Sequence, residues 1–69
     1  MDLKQIRYFL DLAETMSFTE AAKRLHITQP PLSRQIQALE ASLGVTLIER
    51  DNRPMQLTEA GRLFYEQMV

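Results

Sequence analysis

TQPPLSRQIQALE, residues 28–40, decides how this chain is read. Thr28 stands where a helix N-cap belongs, because its hydroxyl can accept from a free backbone N–H of the first turn. Pro30 and Pro31 follow inside that turn, where a missing N–H costs nothing for want of an intrahelical acceptor. Leu32, Ile36, Leu39 and Leu43 then recur at intervals of four, three and four, which predicts one buried stripe on a helix over about 28–42. Gly44 is a good terminator just past its end. The other face carries Gln29, Pro30, Ser33, Arg34 and Gln37. A rigidly started helix with a row of hydrogen-bonding side chains is suited to reading another molecule.

Upstream, a first helix is predicted from about Leu3 to Thr15. Asp2 suits its cap or a first-turn acid. Ile6, Phe9, Leu10 and Ala13 are its expected core positions. Tyr8 and Leu12 fall off that stripe and are expected to be exposed or to meet a partner. SFTE then places Glu20 three residues after Ser17, the spacing of a capping box. It opens a short second helix, roughly Phe18 to Leu25, with Ala21, Ala22 and Leu25 inward; the alanines let a neighbouring helix come close. Helix, tight turn and helix with a polar outer face is the helix-turn-helix pattern, although periodicity alone also fits a plain three-helix bundle.

Downstream of Gly44 the texture changes. VTLIER and PMQL are apolar or β-branched around a turn-like DNR. They predict a two-stranded hairpin, about Leu47–Arg50 against Met55–Leu57, with Pro54 confined to a strand start or edge. Such a hairpin beside a helix-turn-helix is a wing. Thr58 caps a fourth helix that still runs at Val69, which points to a longer parent chain. The expected fold is mainly α: a three-helix core, a two-stranded β wing and the start of a linker helix.

The totals fit. The chain has 69 residues, 45% hydrophobic and 25% charged, with two glycines and three prolines, as a small helical globular domain would. It has no cysteine, which excludes disulfides and thiolate metal sites and suits a reducing cytosol. No apolar run approaches a membrane span, and nothing resembles a signal peptide. The net charge is −1, so the sum does not announce nucleic acid. The distribution is more informative: between Ala21 and Ala38 the charges are Lys23, Arg24 and Arg34, with no acid among them.

Duplex DNA is the partner that suits these side chains. Arg34 can hold guanine O6 and N7 bidentately, and Gln29 can hold adenine N6 and N7. The Pro30 and Pro31 rings can pack on a thymine methyl, and Ser33 can donate or accept. Thr28 at the helix N-terminus favours a phosphate. Arg53, at the hairpin tip beside Pro54, can enter a minor groove, or can be a plain solvated turn residue. Arg50 can meet a phosphate or pair with Asp51 or Glu49, and Lys23 and Arg24 can face the DNA backbone or be ordinary surface charge. His26 is the sole histidine and suits a helix C-terminus or the surface; alone it makes no metal site. No nucleophile–base pair, phosphate loop or paired carboxylates can be read, so no enzyme and no cofactor are expected. The main alternative is a winged-helix protein–protein interaction module.

FTEAAKRLHITQPPLSRQI, LEASLGVTLIER and LTEAG together resemble the N-terminal winged helix-turn-helix domain of LysR-type transcriptional regulators. The resemblance covers nearly the whole chain, and QPPLSRQ is most similar to the branch that controls aromatic-compound catabolism. It implies a bacterial, cytoplasmic, nucleoid-associated regulator binding double-stranded promoter DNA as a dimer or tetramer. Residues 1–57 would be the DNA-binding domain and 58–69 the start of a dimerising linker helix. Gln29, Pro30, Pro31, Ser33 and Arg34 would read the major groove, with Thr28 and Gln37 on backbone. Arg53 and Pro54, on a wing of about 47–57, would enter the minor groove, with Arg50 near a phosphate. Tyr8, Leu12, Leu63 and Phe64 would be candidates for the dimer interface. Family members are several times longer, and their inducer would act through a C-terminal effector domain without counterpart here.

Overall fold

Three helices pack around one core and a short hairpin leads into a fourth. The computed structural model describes residues 1–52 and 54–69, in the order α1 (Leu3–Thr15), α2 (Phe18–Leu25), α3 (Gln29–Leu43), β1 (Ile48–Glu49), β2 (Gln56–Leu57) and α4 (Glu59–Met68). The expected winged helix-turn-helix is present, with a shorter wing: the antiparallel strands pair only Ile48 with Leu57 and Glu49 with Gln56. Arg53 lies outside the described residues.

The helix ends follow local chemistry, with two departures from expectation. Asp2 caps α1 through a full capping box, accepting from the Gln5 N–H at 2.8 Å while Gln5 Oε1 accepts from the Asp2 N–H at 3.3 Å. Ser17 caps α2 by accepting from the Glu20 N–H at 3.1 Å, but the return arm from Glu20 is not made. The Ser17 N–H is directed instead at Thr15 Oγ1, and the Glu20 carboxylate turns to Lys23 Nζ at 3.7 Å. Thr28 holds the N-cap position of α3 without a side-chain capping bond. The reason lies two residues on: a cap accepts from the second or third N–H of its helix, and here those residues are Pro30 and Pro31, which have none. α1, α2 and α3 each end on a left-handed residue, Met16, His26 and Gly44, and His26 is exposed there as expected.

The buried core is Phe9 and Leu12 of α1, Ala21 and Ala22 of α2, Leu32, Ile36 and Leu39 of α3, and Leu47 and Ile48. Two α1 expectations are thereby corrected. Leu12 is fully buried rather than off the stripe, and of the expected Ile6, Phe9, Leu10 and Ala13 Phe9 alone is fully buried, the other three being half-buried. The cause is that α1 is covered on two sides, by α2 and α3 and by α4, which widens and turns its apolar arc. The α4 contact is explicit: the Phe64 ring meets Phe9 edge-on, centroids 5.4 Å apart at 65°. Gly61 is buried in the first turn of α4 because a Cβ there would strike the carbonyl oxygen of Leu47. Thr58 fastens the same junction, accepting from the Gly61 N–H at 2.9 Å and donating to Thr46 O at 2.6 Å, while its N–H reaches Leu47 O at 3.0 Å.

Candidate nucleic-acid interface

The outer face of α3 meets the base of the wing in one open cleft of about 420 Å³, lined by Phe18, Gln29, Pro30, Ser33 and Arg50. Three of the expected base readers and one expected backbone contact are therefore brought together from α3 and from the residue after β1. Arg34 follows Pro30 by one helical turn and is exposed on the same face, and Gln37 is exposed beyond it. Pro31 is turned away from Pro30 and is half-buried. Pro54 is exposed in the bend before β2.

The N-terminus of α3 is a weaker anion site than its position suggests. Of the four N–H groups that a helix start leaves free, on the cap and the first three helical residues, Pro30 and Pro31 remove two, so those of Thr28 and Gln29 alone remain. The Thr28 hydroxyl has no intrahelical donor to accept from and is exposed beside them. Gln29 is oriented from α2, since its Nε2 donates to Thr19 Oγ1 at 3.1 Å.

Folding redistributes the basic residues. Arg24 donates to Glu14 at 2.7 Å and to Asp11 at 3.1 Å, bridging α2 to α1. The hydrogen bond to Glu14, with the charge of Asp11 behind it, raises the Arg24 pKa above its ordinary value. Arg7 also faces Asp11, at 3.6 Å, and Lys23 faces Glu20. Lys23 and Arg24, read as free of local acids, are thus paired. Arg34 has no acid within salt-bridge distance among the described residues. Arg50 pairs with Glu40 of α3 at 3.1 Å rather than with Asp51 or Glu49. Arg50 directly follows β1, two residues on from the buried Ile48, whereas Glu49 between them is exposed.

Three contributors escaped the sequence reading: Phe18, Thr19 and Glu40. Phe18 and Thr19 open α2 and pack against α3 across the tight turn, a contact no local pattern encodes. Glu40 did leave a signal. It puts a carboxylate in the last turn of α3, where the helix dipole disfavours one, so a tertiary partner was to be sought.

The interface candidates separate into distinct environments. Leu12 cannot meet a partner, because it lies wholly inside the core. Tyr8 packs partly on the core, with Lys4 Nζ 6.0 Å from its ring centroid. Phe64 leans on Phe9 but also lines an open apolar groove of about 300 Å³ with Leu43, Val45, Ala60 and Leu63. Leu63 is 56% exposed and Val45 43%. Among the described residues no group of three or more His, Asp or Glu could hold a metal ion, and no helix is long and apolar enough to cross a membrane.

Comparison with known proteins places this geometry. The model of the bacterial regulatory helix-turn-helix proteins of the lysR family matches residues 3–62. The HTH-type transcriptional regulator CatR of Pseudomonas putida is 63% identical over 67 residues, 97% of this chain and 23% of that protein. The probable cat1 operon transcriptional activator of Acinetobacter lwoffii is 59% identical over 69 residues, 100% of this chain and again 23% of the relative. The chain therefore spans under a quarter of the length of these relatives. Among solved structures, the DNA-binding domain of BenM in complex with catB site 1 DNA superposes with a TM-score of 0.93 at 52% identity, over 97% of this chain and 72% of that one.

Proposed function

The chain belongs to the lysR family of bacterial regulatory helix-turn-helix proteins, as the DNA-binding domain of a regulator rather than an enzyme, and from that premise we propose how it reads its promoter. α3 enters the major groove, and the wing reaches the adjacent minor groove. The observation that carries this is the single cleft in which Gln29, Pro30 and Ser33 of α3 face Arg50 at the wing base. Arg34, exposed and without an ion pair among the described residues, holds a guanine, and Gln29, held by Thr19, takes an adenine. Pro30, exposed in the cleft, packs on a thymine methyl, with the half-buried Pro31 at the margin of that contact, and Ser33 completes the base contacts. Thr28, with its unused hydroxyl, and Gln37 touch the DNA backbone, and Arg50 a phosphate. Pro54, in the bend before β2, and Arg53, which precedes it in sequence, serve the minor groove.

Residues 1–57 form the DNA-binding unit and 58–69 begin the linker helix, whose first turns double as core through Gly61 and Phe64. The whole protein acts in the bacterial cytoplasm at the nucleoid, as a homodimer or a tetramer built from dimers. Its inducer binds a C-terminal domain beyond this chain, and its promoters serve aromatic-compound catabolism, as the company of CatR suggests. A two-fold dimer would set neighbouring α3 helices roughly 34 Å apart on inverted half-sites.

The test is selection of duplexes from a randomised pool at two salt concentrations, with wild type and Arg34→Ala in parallel. Wild type should enrich a motif containing a G, with affinity falling steeply as salt rises. Arg34→Ala should lose about 1–3 kcal/mol of discrimination at that base pair, roughly 5- to 150-fold. Identical motifs from both chains would remove Arg34 as a reader. No enrichment even from a fused dimer would shift the reading to a protein partner.

A further inference from the structure

Among the described residues, Glu40 is the acidic side chain that ties α3 to the start of the wing. Its Oε2 accepts from the Leu47 N–H at 2.7 Å and the Ile48 N–H at 3.2 Å, holding the start of β1. Its Oε1 faces Arg50 Nη1 at 3.1 Å, and Oε2 accepts from the same nitrogen at 3.4 Å. Its own carbonyl accepts from the Gly44 N–H at 2.8 Å and the Val45 N–H at 3.2 Å, fixing the turn by which α3 leaves for the wing. The Glu40 side chain is 12% exposed and that of Arg50 34%, so the acid is shielded while the guanidinium lines the open cleft.

We infer that Glu40 is a positioning residue of the DNA interface: its carboxylate clamps the wing to α3 through Oε2 and, through both oxygens, aims Arg50 into the cleft beside Gln29, Pro30 and Ser33. The inference rests on the DNA-binding function proposed above and adds to it the coupling between its two reading elements. A recognition helix and a wing in neighbouring grooves bind together only if their separation is set beforehand, because freedom between them must be lost on docking. An unrestrained arginine would likewise lose rotamer freedom on meeting a phosphate. Glu40 removes both freedoms before DNA arrives.

Glu40→Gln can leave its carbonyl oxygen at the Oε2 position, keeping both backbone bonds and the fold, while it removes the charge and the 3.1 Å contact at Oε1 and leaves Arg50 only the longer 3.4 Å bond to Oε2. Charge alone predicts tighter binding from this variant, because an acid beside a polyanion has gone. Positioning predicts weaker binding. It also predicts the loss of about one phosphate contact from the salt dependence, so that the wild-type advantage shrinks roughly 3- to 4-fold for each fourfold rise in salt. Binding is titrated on a duplex selected by the wild-type chain. Glu40→Gln binding as tightly as wild type or tighter, or more weakly with an unchanged salt slope, overturns the inference. Arg50→Gln, which leaves every backbone bond of Glu40 in place, should lose the same slope, and the double variant no more than either alone; additive slope losses also overturn it. A wild-type chain without salt-dependent binding would instead refute the DNA-binding proposal itself.

Discussion

Replacing Gly61 with alanine should destabilise the protein, although in an ordinary helix interior the same change stabilises by about 1 kcal/mol. Gly61 is the third residue of α4 and is buried against the backbone of Leu47. A Cβ would strike the Leu47 carbonyl oxygen and also lie 3.1 Å from its carbon and 3.3 Å from its Cα. Leu47 cannot retreat. Its carbonyl accepts from the Thr58 N–H at 3.0 Å, its N–H donates to Glu40 at 2.7 Å, and its side chain is fully buried. α4 must therefore lift, carrying Phe64 away from Phe9.

Overpacking of this kind costs ~1–3 kcal/mol, and a backbone obstacle belongs at the upper end. Less the ~1 kcal/mol gain in helix propensity, the net loss is about 1–2 kcal/mol. A chain of this size holds only ~3–10 kcal/mol in all, so melting should fall by roughly 5–15 °C. Urea unfolding followed by circular dichroism reads the change as a lower midpoint at constant m-value. Gly44→Ala is the comparison. Nothing lies within 4 Å of a Cβ there, yet φ is +73°, so its loss of ~1 kcal/mol would come from the left-handed backbone alone. A Gly61→Ala protein as stable as wild type would refute the contact reasoning, because propensity would then be the only effect present.

The other predictions concern the two helix faces. Leu12→Ala should cost about 2–5 kcal/mol by leaving a core cavity, whereas Leu63→Ala on the exposed face of α4 should shift stability by less than about 0.5 kcal/mol; equal losses in urea unfolding would contradict the burial difference. Leu63→Ala should instead weaken self-association by sedimentation, if that groove meets a second copy. Asp11→Asn should cost about 1 kcal/mol at low salt, since Arg24 keeps Glu14 and both arginines are well exposed, and the loss should shrink as salt is added; a loss indifferent to salt would point to packing.

Local pattern made most of the architecture legible. The stripe Leu32, Ile36, Leu39, Leu43 and the stop at Gly44 bounded α3 within a residue, and Asp2, Ser17 and Thr58 marked the other starts. What failed depended on contacts between distant segments. The α1 stripe was misjudged at Leu12 and at Ile6, Leu10 and Ala13 because periodicity does not say that two neighbours cover a helix, and Phe64, fifty-five residues beyond Phe9, supplies the second. The cap at Thr28 was placed correctly, but its hydrogen bond was cancelled by the prolines that mark the helix. Arg50 was offered its sequence neighbours, whereas the fold hands it to Glu40. The polar outer face of α3 was visible as residues, and the wing base that closes it into a cleft was not.

Charge shows the same division. The run from Lys23 to Arg34 reads as three cations without an acid, yet Glu14 and Asp11 of α1 take Arg24 and Glu20 takes Lys23. What remains around the cleft is Arg34 without an ion pair among the described residues and Arg50 on its tether to Glu40. A surface so nearly neutralised gains little from non-specific attraction, which grows with the number of phosphates neutralised. Its preference for one sequence must then come from the few groups that touch bases, and the penalty for losing one is proportionally large. Pairing two copies on one duplex doubles those few contacts without raising the attraction of either copy for random DNA. A net charge of −1 over these residues is therefore compatible with a reader of DNA.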